Sequence, residues 1–140
     1  MAAKGKAQWQ GDLKTGHGTF VAGDSITGEY SFTSRFEDGP GANPEQLIAA
    51  AHAACFSMAL SGALGGAGTP PTSISTDAQV TIRFVDDAPT ITSIALTTVG
   101  IVPGLDEAGF KAAAEGAKQN CPVSKALASV PEITLEASLG

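Results

Sequence analysis

Residues 43–60 read Asn43-Pro-Glu-Gln-Leu-Ile-Ala-Ala-Ala-His-Ala-Ala-Cys-Phe-Ser-Met-Ala-Leu60, a run that is small or apolar at most positions. Asn43 is a favourable N-cap, and Pro44 suits the first helical position because its missing N–H would have no intrahelical partner. Gln46 lies three residues after the cap, where it can complete a capping box. The pattern predicts a helix to about Leu64, where a glycine- and proline-rich segment follows.

This helix is long and apolar enough to raise the question of a membrane span. The 18 residues from Leu47 to Leu64 reach the length threshold for a bilayer. They are mainly alanine, serine and glycine, His52 lies near their middle, and no lysine or arginine flanks them. The composition therefore favours a buried core or interface helix.

The flanking segments predict strands and further helices. Aromatic residues alternate with polar ones over Tyr30–Glu37, which is typical of a strand whose polar face carries Arg35. Val80, Ile82 and Phe84 alternate in the same way. Two long strands are predicted at 73–85 and 90–102 with a turn at 86–89, helices at 106–118 and 122–128, and a last strand at 131–139. This order predicts one α+β domain over residues 1–140, with mainly antiparallel sheet.

Composition limits the possible partners. The chain has 140 residues, of which 43% are apolar and only 16% charged, so part of its surface is expected to lie against a second chain. A net charge of −6 disfavours nucleic acid and anionic membranes as partners. The first residues do not resemble a secretory signal, so we expect a cytoplasmic protein. In that reducing compartment two cysteines are more often catalytic, metal-binding or inert than a static disulfide.

The two cysteines, Cys55 and Cys121, are the main reactive groups. Cys121 lies in Asn120-Cys-Pro-Val-Ser-Lys-Ala-Leu127, where one predicted helix ends and another begins. As an N-cap it would have a lowered pKa, so the residues alone leave open which thiol attacks a substrate. His52 and Cys55 share a helix face, but with Cys121 they make only three metal ligands, so neither a metal nor another cofactor is expected.

Together the two cysteine motifs resemble the osmotically inducible protein C (OsmC) family, in its osmotically inducible branch. The resemblance implies a thiol peroxidase for organic hydroperoxides, in which Cys55 attacks, Cys121 resolves the sulfenic acid as a disulfide, and a dithiol, lipoyl-type in the sister branch, restores both. It also implies an intertwined homodimer with sheets flanking two central helices. Arg35, Glu45, Cys55 and Cys121 match the functional residues of the family.

Elementary physical chemistry assigns possible roles to the two charged residues. A thiol in an apolar helix has a raised pKa, so a cation such as Arg35 is needed to favour the thiolate. Glu45 precedes Cys55 by ten residues, about 15 Å along a helix, and could reach it only across two antiparallel helices of a dimer, where it would orient Arg35. The simpler alternatives are a solvated arginine and a carboxylate that complements the helix dipole.

A second class of function fits the same sequence. An apolar-ligand-binding or interaction dimer could carry the same helix while its cysteines remain idle. Leu47, Ala51, Phe56 and Met58 would suit the apolar tail of an organic peroxide or ligand, and they would equally suit a plain core.

Overall fold

The computed structural model describes residues 1–140 and divides them into two compact units, Met1–Leu47 and Ile48–Gly140. The units are described separately below. The fold is α+β, with two three-stranded sheets and four helices. Three of the four strand pairings are antiparallel, so the predicted fold class and predominant strand direction are confirmed. The assignment of residues 1–140 to one domain stays a prediction.

The first unit is built on an antiparallel meander. Its strands follow one another in space as they do in the sequence. The side chains of Trp9 and Tyr30 pack with ring centroids 5.4 Å apart. No apolar side chain of this unit is fully buried, and its buried residues are Gly18, Ser34 and Glu45. The elements are β1 (Gly5–Gln10), β2 (His17–Ala22), β3 (Ile26–Tyr30) and α1 (Phe32–Phe36).

The strand predicted over Tyr30–Glu37 is wrong beyond Tyr30, because a short helix, α1, follows. Ser31 caps this helix through a reciprocal pair of hydrogen bonds with Ser34. The backbone N–H of Ser34 donates to the Ser31 hydroxyl at 3.1 Å, and the backbone N–H of Ser31 donates to the Ser34 hydroxyl at 2.8 Å. Phe32 and Phe36 are four residues apart and their rings pack at 5.1 Å. Four-residue spacing satisfies both a strand face and a helix face, which explains the error.

The central helix α2 (Pro44–Gly66) was predicted with its correct start and ends two residues beyond Leu64. The Asn43 side chain accepts a hydrogen bond of 2.9 Å from the backbone N–H of Gln46, as expected of the N-cap. One face is buried at every fourth position, His52, Phe56, Leu60 and Leu64. The opposite face, which includes Ala51, Ala54 and Met58, is exposed. By length and composition alone α2 could cross a membrane, a property it shares with core helices.

The second unit contains a mixed sheet and the hydrophobic core. Its strands are β4 (Ser73–Val85), β5 (Ala88–Ile101) and β6 (Glu132–Leu139), in the order β4-β5-β6. β5 begins earlier than predicted because Asp86 and Asp87, at φ 51° and 63°, complete the turn alone. A bulge between Thr81 and Ile82 interrupts the face predicted for β4, and Phe84 is 62% exposed.

Two helices connect β5 to β6 and allow these strands to run parallel. They are α3 (Glu107–Asn120) and α4 (Pro122–Ala126), close to their predicted limits. Asp106 caps α3 by accepting a 2.8 Å hydrogen bond from the N–H of Gly109. The core contains the buried face of α2 together with apolar residues of β5 and α3, which are Ile94, Leu96, Phe110, Ala114 and Ala117. This core fixes the two segments that carry the cysteines.

Candidate active site

The two cysteines meet within the second unit. Both are free thiols; Cys55 is partly buried on α2, and Cys121 is fully buried between α3 and α4. The Cys121 side chain and the backbone N–H of Val123 are close enough to the Cys55 thiol to shift its pKa, so the two cysteines are neighbours in the fold. The fold therefore brings together two residues that are far apart in the sequence.

The surroundings of Cys55 favour the protonated thiol. Burial raises the pKa of Cys55 above its ordinary value, and the hydrogen bond and charge of Cys121 raise it further. The N–H of Val123 acts in the opposite direction by donating to the sulfur. No cation is among the groups that shift this pKa. A reactive thiolate at Cys55 therefore needs positive charge in addition to these neighbours.

A chain of hydrogen bonds extends from Cys121 into the core. Cys121 is the N-cap of α4, as predicted, and accepts a 3.3 Å hydrogen bond from the N–H of Ser124. Its thiol donates to Oγ of Ser124 at 3.1 Å, and this Oγ lies 2.7 Å from Nε2 of His52. His52 is therefore packed in the core and hydrogen-bonded through Nε2. Burial lowers the pKa of His52, which favours the neutral ring.

Ser124 was missed by the sequence analysis. Its only local signal is its position three residues after the capping Cys121, where its backbone N–H is expected to bond the cap. Its side-chain partner His52 lies on α2, 72 residues away. A contact over this separation depends on the packing of α4 against α2, which periodicity does not predict.

The first unit contains an ion pair between Arg35 and Glu45. Nη2 of Arg35 lies 2.8 Å from Oε1 of Glu45, and Nε lies 3.2 and 3.3 Å from Oε1 and Oε2. The Glu45 side chain is 6% exposed and that of Arg35 is 34% exposed. The guanidinium also lies 5.2 Å from the ring centroid of Phe36. Contacts from two nitrogens fix the guanidinium plane, so Glu45 orients Arg35.

An apolar cavity of about 400 Å³ lies beside Arg35 in the same unit. None of the apolar residues predicted to hold a substrate tail lines this cavity. Those residues are all on α2 and are Leu47, Ala51, Phe56 and Met58. Phe56 is buried in the core, the alternative that the sequence left open, and a pocket formed by the other three residues stays a prediction. The cavity is lined by Trp9, Gly11, Leu13, Tyr30, Ser31, Phe32, Arg35 and Phe36.

An α+β fold with two free, adjacent cysteines defines a thiol-based redox protein. The family model described as "OsmC-like protein" matches residues 37–136, and the chain belongs to this family. It is 49% identical to Peroxiredoxin OsmC of Escherichia coli (strain K12) over 138 residues, covering 97% of this chain and 95% of the relative. It is 35% identical to the organic hydroperoxide resistance protein of Xanthomonas axonopodis pv. citri (strain 306) over 98 residues. That match covers 69% of this chain and 67% of the relative.

Solved structures share the fold. An organic hydroperoxide resistance protein OsmC from Legionella pneumophila superposes with a TM-score of 0.76 at 23% identity, covering 96% of both chains. An organic hydroperoxide resistance protein from Elizabethkingia anophelis superposes with a TM-score of 0.75 at 23% identity. The match covers 100% of this chain and 99% of that chain. With the sequence relatives, the predicted family is confirmed. The chain is a cysteine-based peroxidase with a function of the hydroperoxide-resistance type.

Proposed function

We propose that this chain reduces organic hydroperoxides to alcohols through Cys55 and Cys121. The Cys55 thiolate attacks the distal peroxide oxygen, the O–O bond breaks, and the departing alkoxide takes a proton and leaves as the alcohol. Cys55 then carries a sulfenic acid. The Cys121 sulfur attacks the Cys55 sulfur, the S–O bond breaks, and water leaves as the disulfide forms. A dithiol reductant exchanges with this disulfide, becomes oxidised itself, and restores both thiols.

The observation that carries this proposal is the contact between two free thiols in one unit. A single buried cysteine would be explained by packing, since free cysteine behaves as a small apolar residue. With two adjacent thiols, one can reduce the peroxide and the other can convert the resulting sulfenic acid to a disulfide with loss of water. The peroxiredoxin name of the relative that is 49% identical supports the same chemistry.

Arg35 is proposed to supply the positive charge that Cys55 lacks among its neighbours. A guanidinium held by Glu45 would stabilise the Cys55 thiolate and the alkoxide that forms when the O–O bond breaks. The buried Glu45 carboxylate accepts hydrogen bonds from one side of the guanidinium. This arrangement is expected of a carboxylate that orients an arginine, and not of an ion pair at the surface. Both assignments agree with the family resemblance.

We further propose that the chain acts as a homodimer. α2 exposes a face of small and apolar residues, among them Ala51, Ala54 and Met58, and the first unit has no fully buried apolar side chain. Packing two α2 helices antiparallel would bury this face. Glu45 and Cys55 are about 15 Å apart on one helix. With the twofold axis near residue 50, midway between them, Glu45 of one chain would lie level with Cys55 of the partner subunit.

The cavity beside Arg35 indicates the class of substrate. Its lining is mainly aromatic and aliphatic, with the guanidinium of Arg35 at one wall. Such a site suits an organic hydroperoxide, with its carbon group in the cavity and its peroxide oxygens near the cation, better than hydrogen peroxide. A relative named for organic hydroperoxide resistance supports the same substrate class.

A steady-state peroxidase assay tests the proposed function. Purified protein is supplied with cumene hydroperoxide or hydrogen peroxide, and with dihydrolipoamide or a monothiol as reductant. We expect turnover with the dithiol and a higher kcat/KM for cumene hydroperoxide. Absence of turnover with every dithiol, or equal kcat/KM values for the two peroxides, would contradict the proposed reductant or substrate class.

A matched pair of variants tests the cavity within the same assay. Leu13 and Ile26 are both exposed aliphatic residues of the first unit, but only Leu13 lines the cavity. Leu13→Ala should raise KM for cumene hydroperoxide about three- to tenfold, the effect of losing part of a buried aliphatic contact. The KM for hydrogen peroxide should not change, and Ile26→Ala should change neither value. An equal effect of both substitutions would remove the cavity from substrate binding.

A further inference from the structure

One titratable group next to the thiols has no part in the proposed peroxidase cycle. His52 is fully buried on α2, at the first of four positions whose other members are Phe56, Leu60 and Leu64. Its Nε2 is 2.7 Å from Oγ of Ser124, whereas its Nδ1 is buried without a hydrogen-bond partner. Leaving a buried polar nitrogen unpaired is unfavourable, so packing alone does not explain a histidine at this position.

The hydrogen bonds define a continuous path from a reacting sulfur to this ring. The Cys121 thiol donates to Oγ of Ser124 at 3.1 Å. The Ser124 hydroxyl then has its own hydrogen free to donate to Nε2 of His52, provided that the ring is neutral and carries its proton on Nδ1. In this arrangement each donor points toward the histidine. Burial of His52 lowers its pKa, which keeps the ring neutral and able to accept a proton.

We propose that Ser124 and His52 form a proton relay that deprotonates Cys121 as it attacks the Cys55 sulfenic acid. This inference rests on the peroxidase cycle proposed above. Ser124 contacts the reacting sulfur and is a catalytic residue, whereas His52 acts through Ser124 and is a positioning and proton-accepting residue. The relay would give a buried thiol, which is otherwise shielded from solvent, a local base.

The step balances without any added reactant. The thiol proton of Cys121 moves to Oγ of Ser124 while the hydroxyl proton of Ser124 moves to Nε2 of His52, leaving a thiolate and an imidazolium. The thiolate sulfur bonds to the Cys55 sulfur, the Cys55 S–O bond breaks, and the departing hydroxide takes one proton to become water. His52 gives up the proton it had received. The sum is one thiol and one sulfenic acid converted to one disulfide and one water.

Ser124 also accounts for the arrangement of the thiolate once it has formed. Its backbone N–H already donates to Sγ of Cys121 at 3.3 Å, and its hydroxyl can turn to donate to the same sulfur. A threonine at this position would keep the hydroxyl, whereas an alanine would keep only the backbone N–H. This difference separates the relay from the capping of α4, because the capping bond uses the backbone of Ser124 alone.

Single-turnover kinetics on the full-length protein test the role of Ser124. Reduced protein is mixed with one equivalent of cumene hydroperoxide, quenched with dimedone at intervals, and examined by mass spectrometry for Cys55 sulfenic acid and for the disulfide. In Ser124→Ala the sulfenic acid should last about 100-fold longer than in wild type, the usual scale of a lost proton-transfer group. Ser124→Thr should restore the rate to within about threefold, and Ser57→Ala, which removes a hydroxyl bonded to Thr76 at 2.8 Å, should have no effect.

His52→Gln tests whether the ring accepts a proton or only positions Ser124. The glutamine amide can reach the place of Nε2 and keep the hydrogen bond to Ser124, but it cannot take a proton at neutral pH. We expect condensation in this variant to slow to nearly the Ser124→Ala rate. A wild-type rate in His52→Gln would exclude proton acceptance, and a wild-type rate in Ser124→Ala would overturn the relay. If wild type itself formed no Cys55 sulfenic acid, the proposed function would fail and the relay with it.

Discussion

The two compact units of this chain differ in what they bury. The second unit, residues 48–140, has an apolar core against which Cys121 and His52 are fully buried. The first unit, residues 1–47, buries no apolar side chain fully, yet it buries the carboxylate of Glu45 against Arg35. The second unit therefore holds the two thiols of the proposed reaction in a largely apolar setting. The first unit holds the Arg35–Glu45 ion pair and the apolar cavity.

This contrast indicates that the two units control different properties of the reaction. Substitution of Cys55 should abolish peroxide reduction, and substitution of Cys121 should abolish turnover, because no other groups supply the electrons of the proposed cycle. Substitution in the Arg35–Glu45 pair should decide how fast the reaction runs, because a fixed cation lowers the energy of charge that forms in the transition state.

The largest effect is expected at the thiols. Cys55→Ser should abolish peroxide consumption, since the attacking sulfur is lost. Cys121→Ser should still permit one attack, leaving a trappable sulfenic acid on Cys55 and no dithiol-driven turnover. Dimedone labelling with mass spectrometry measures both outcomes. Normal turnover of Cys121→Ser, or dimedone labelling of Cys121 in the Cys55→Ser variant, would show that the roles are reversed or wrongly assigned.

The next largest effect is expected at Arg35. Arg35→Ala should raise the pKa of Cys55 and slow its reaction with cumene hydroperoxide by about ten- to 1,000-fold, the range for a lost transition-state donor. Arg35→Lys should recover only part of this rate because ammonium lacks the planar fork that pairs with Glu45. The alkylation rate of Cys55 as a function of pH gives the pKa. Arg83→Ala, at the only other arginine, is the control and should match wild type.

If Arg35→Ala left both the pKa of Cys55 and the peroxidase rate unchanged, the cation would have no part in the reaction. The second unit would then have to activate Cys55 alone, with the Val123 N–H as the group that lowers its pKa. The proposed division between the two units would be wrong.

A smaller effect is expected at Glu45. Glu45→Ala should lower kcat/KM by about tenfold, roughly the worth of one hydrogen bond to a charged group, because Arg35 loses its orientation. The fold should persist, as checked by circular dichroism. Glu29→Ala provides a matched control, since Glu29 is an exposed carboxylate of the same unit. Similar losses in both variants would point to a general charge effect instead of orientation.

Mixed dimers sharpen the test of Glu45. If it acts on Cys55 of the partner subunit, a heterodimer of Glu45→Ala and Cys55→Ser chains has one site that lacks both groups and one that keeps both. The activity of the mixture should then rise above the average of the two parent variants and approach one intact site per heterodimer. No rise despite subunit exchange, shown by native mass spectrometry, would remove the antiparallel arrangement of α2 helices.

The smallest effect concerns stability at acidic pH. The pKa of His52 is lowered by burial, so the folded chain binds fewer protons than the unfolded chain as the pH falls below about 6.5. The stability linked to the neutral His52 ring is fully present above that pH. It is lost as the pH falls through the pKa of His52 in the folded chain. Urea unfolding at about pH 7.5 and about pH 5 should show a smaller loss for His52→Gln than for wild type. His17→Gln, at the exposed second histidine, should behave as wild type does.

The sequence predicted most of the elements because their signals are local. Asn43 and Cys121 cap helices as expected, and the limits of β4 agree with the pattern. The segment after Tyr30 was misassigned because Phe32 and Phe36 satisfy both strand and helix periodicity, and the capping by Ser31 was overlooked. Local signals failed where two of them competed.

The candidate site was predicted less completely, for a physical reason. The residues Arg35, Glu45, Cys55 and Cys121 followed from the family resemblance, and their roles in the reaction stay predictions. The structure places Arg35 against Glu45 and Cys121 near Cys55. The bond from Ser124 to His52 depends on how α4 packs on α2, and the cavity beside Arg35 depends on how α1 closes over the meander. Both are tertiary contacts with no periodic signature.

The central claim is that Cys55 and Cys121 form one redox pair, and a single mass measurement tests it most directly. Reduced wild-type protein is treated with one equivalent of cumene hydroperoxide, alkylated, digested and analysed. We expect the protein to lose about two daltons, two hydrogens, before alkylation as one disulfide forms, and we expect one linked peptide that joins Cys55 to Cys121. No loss of mass before alkylation, with both cysteines alkylated afterwards, would contradict it and would favour an apolar-ligand-binding or interaction protein whose cysteines are idle.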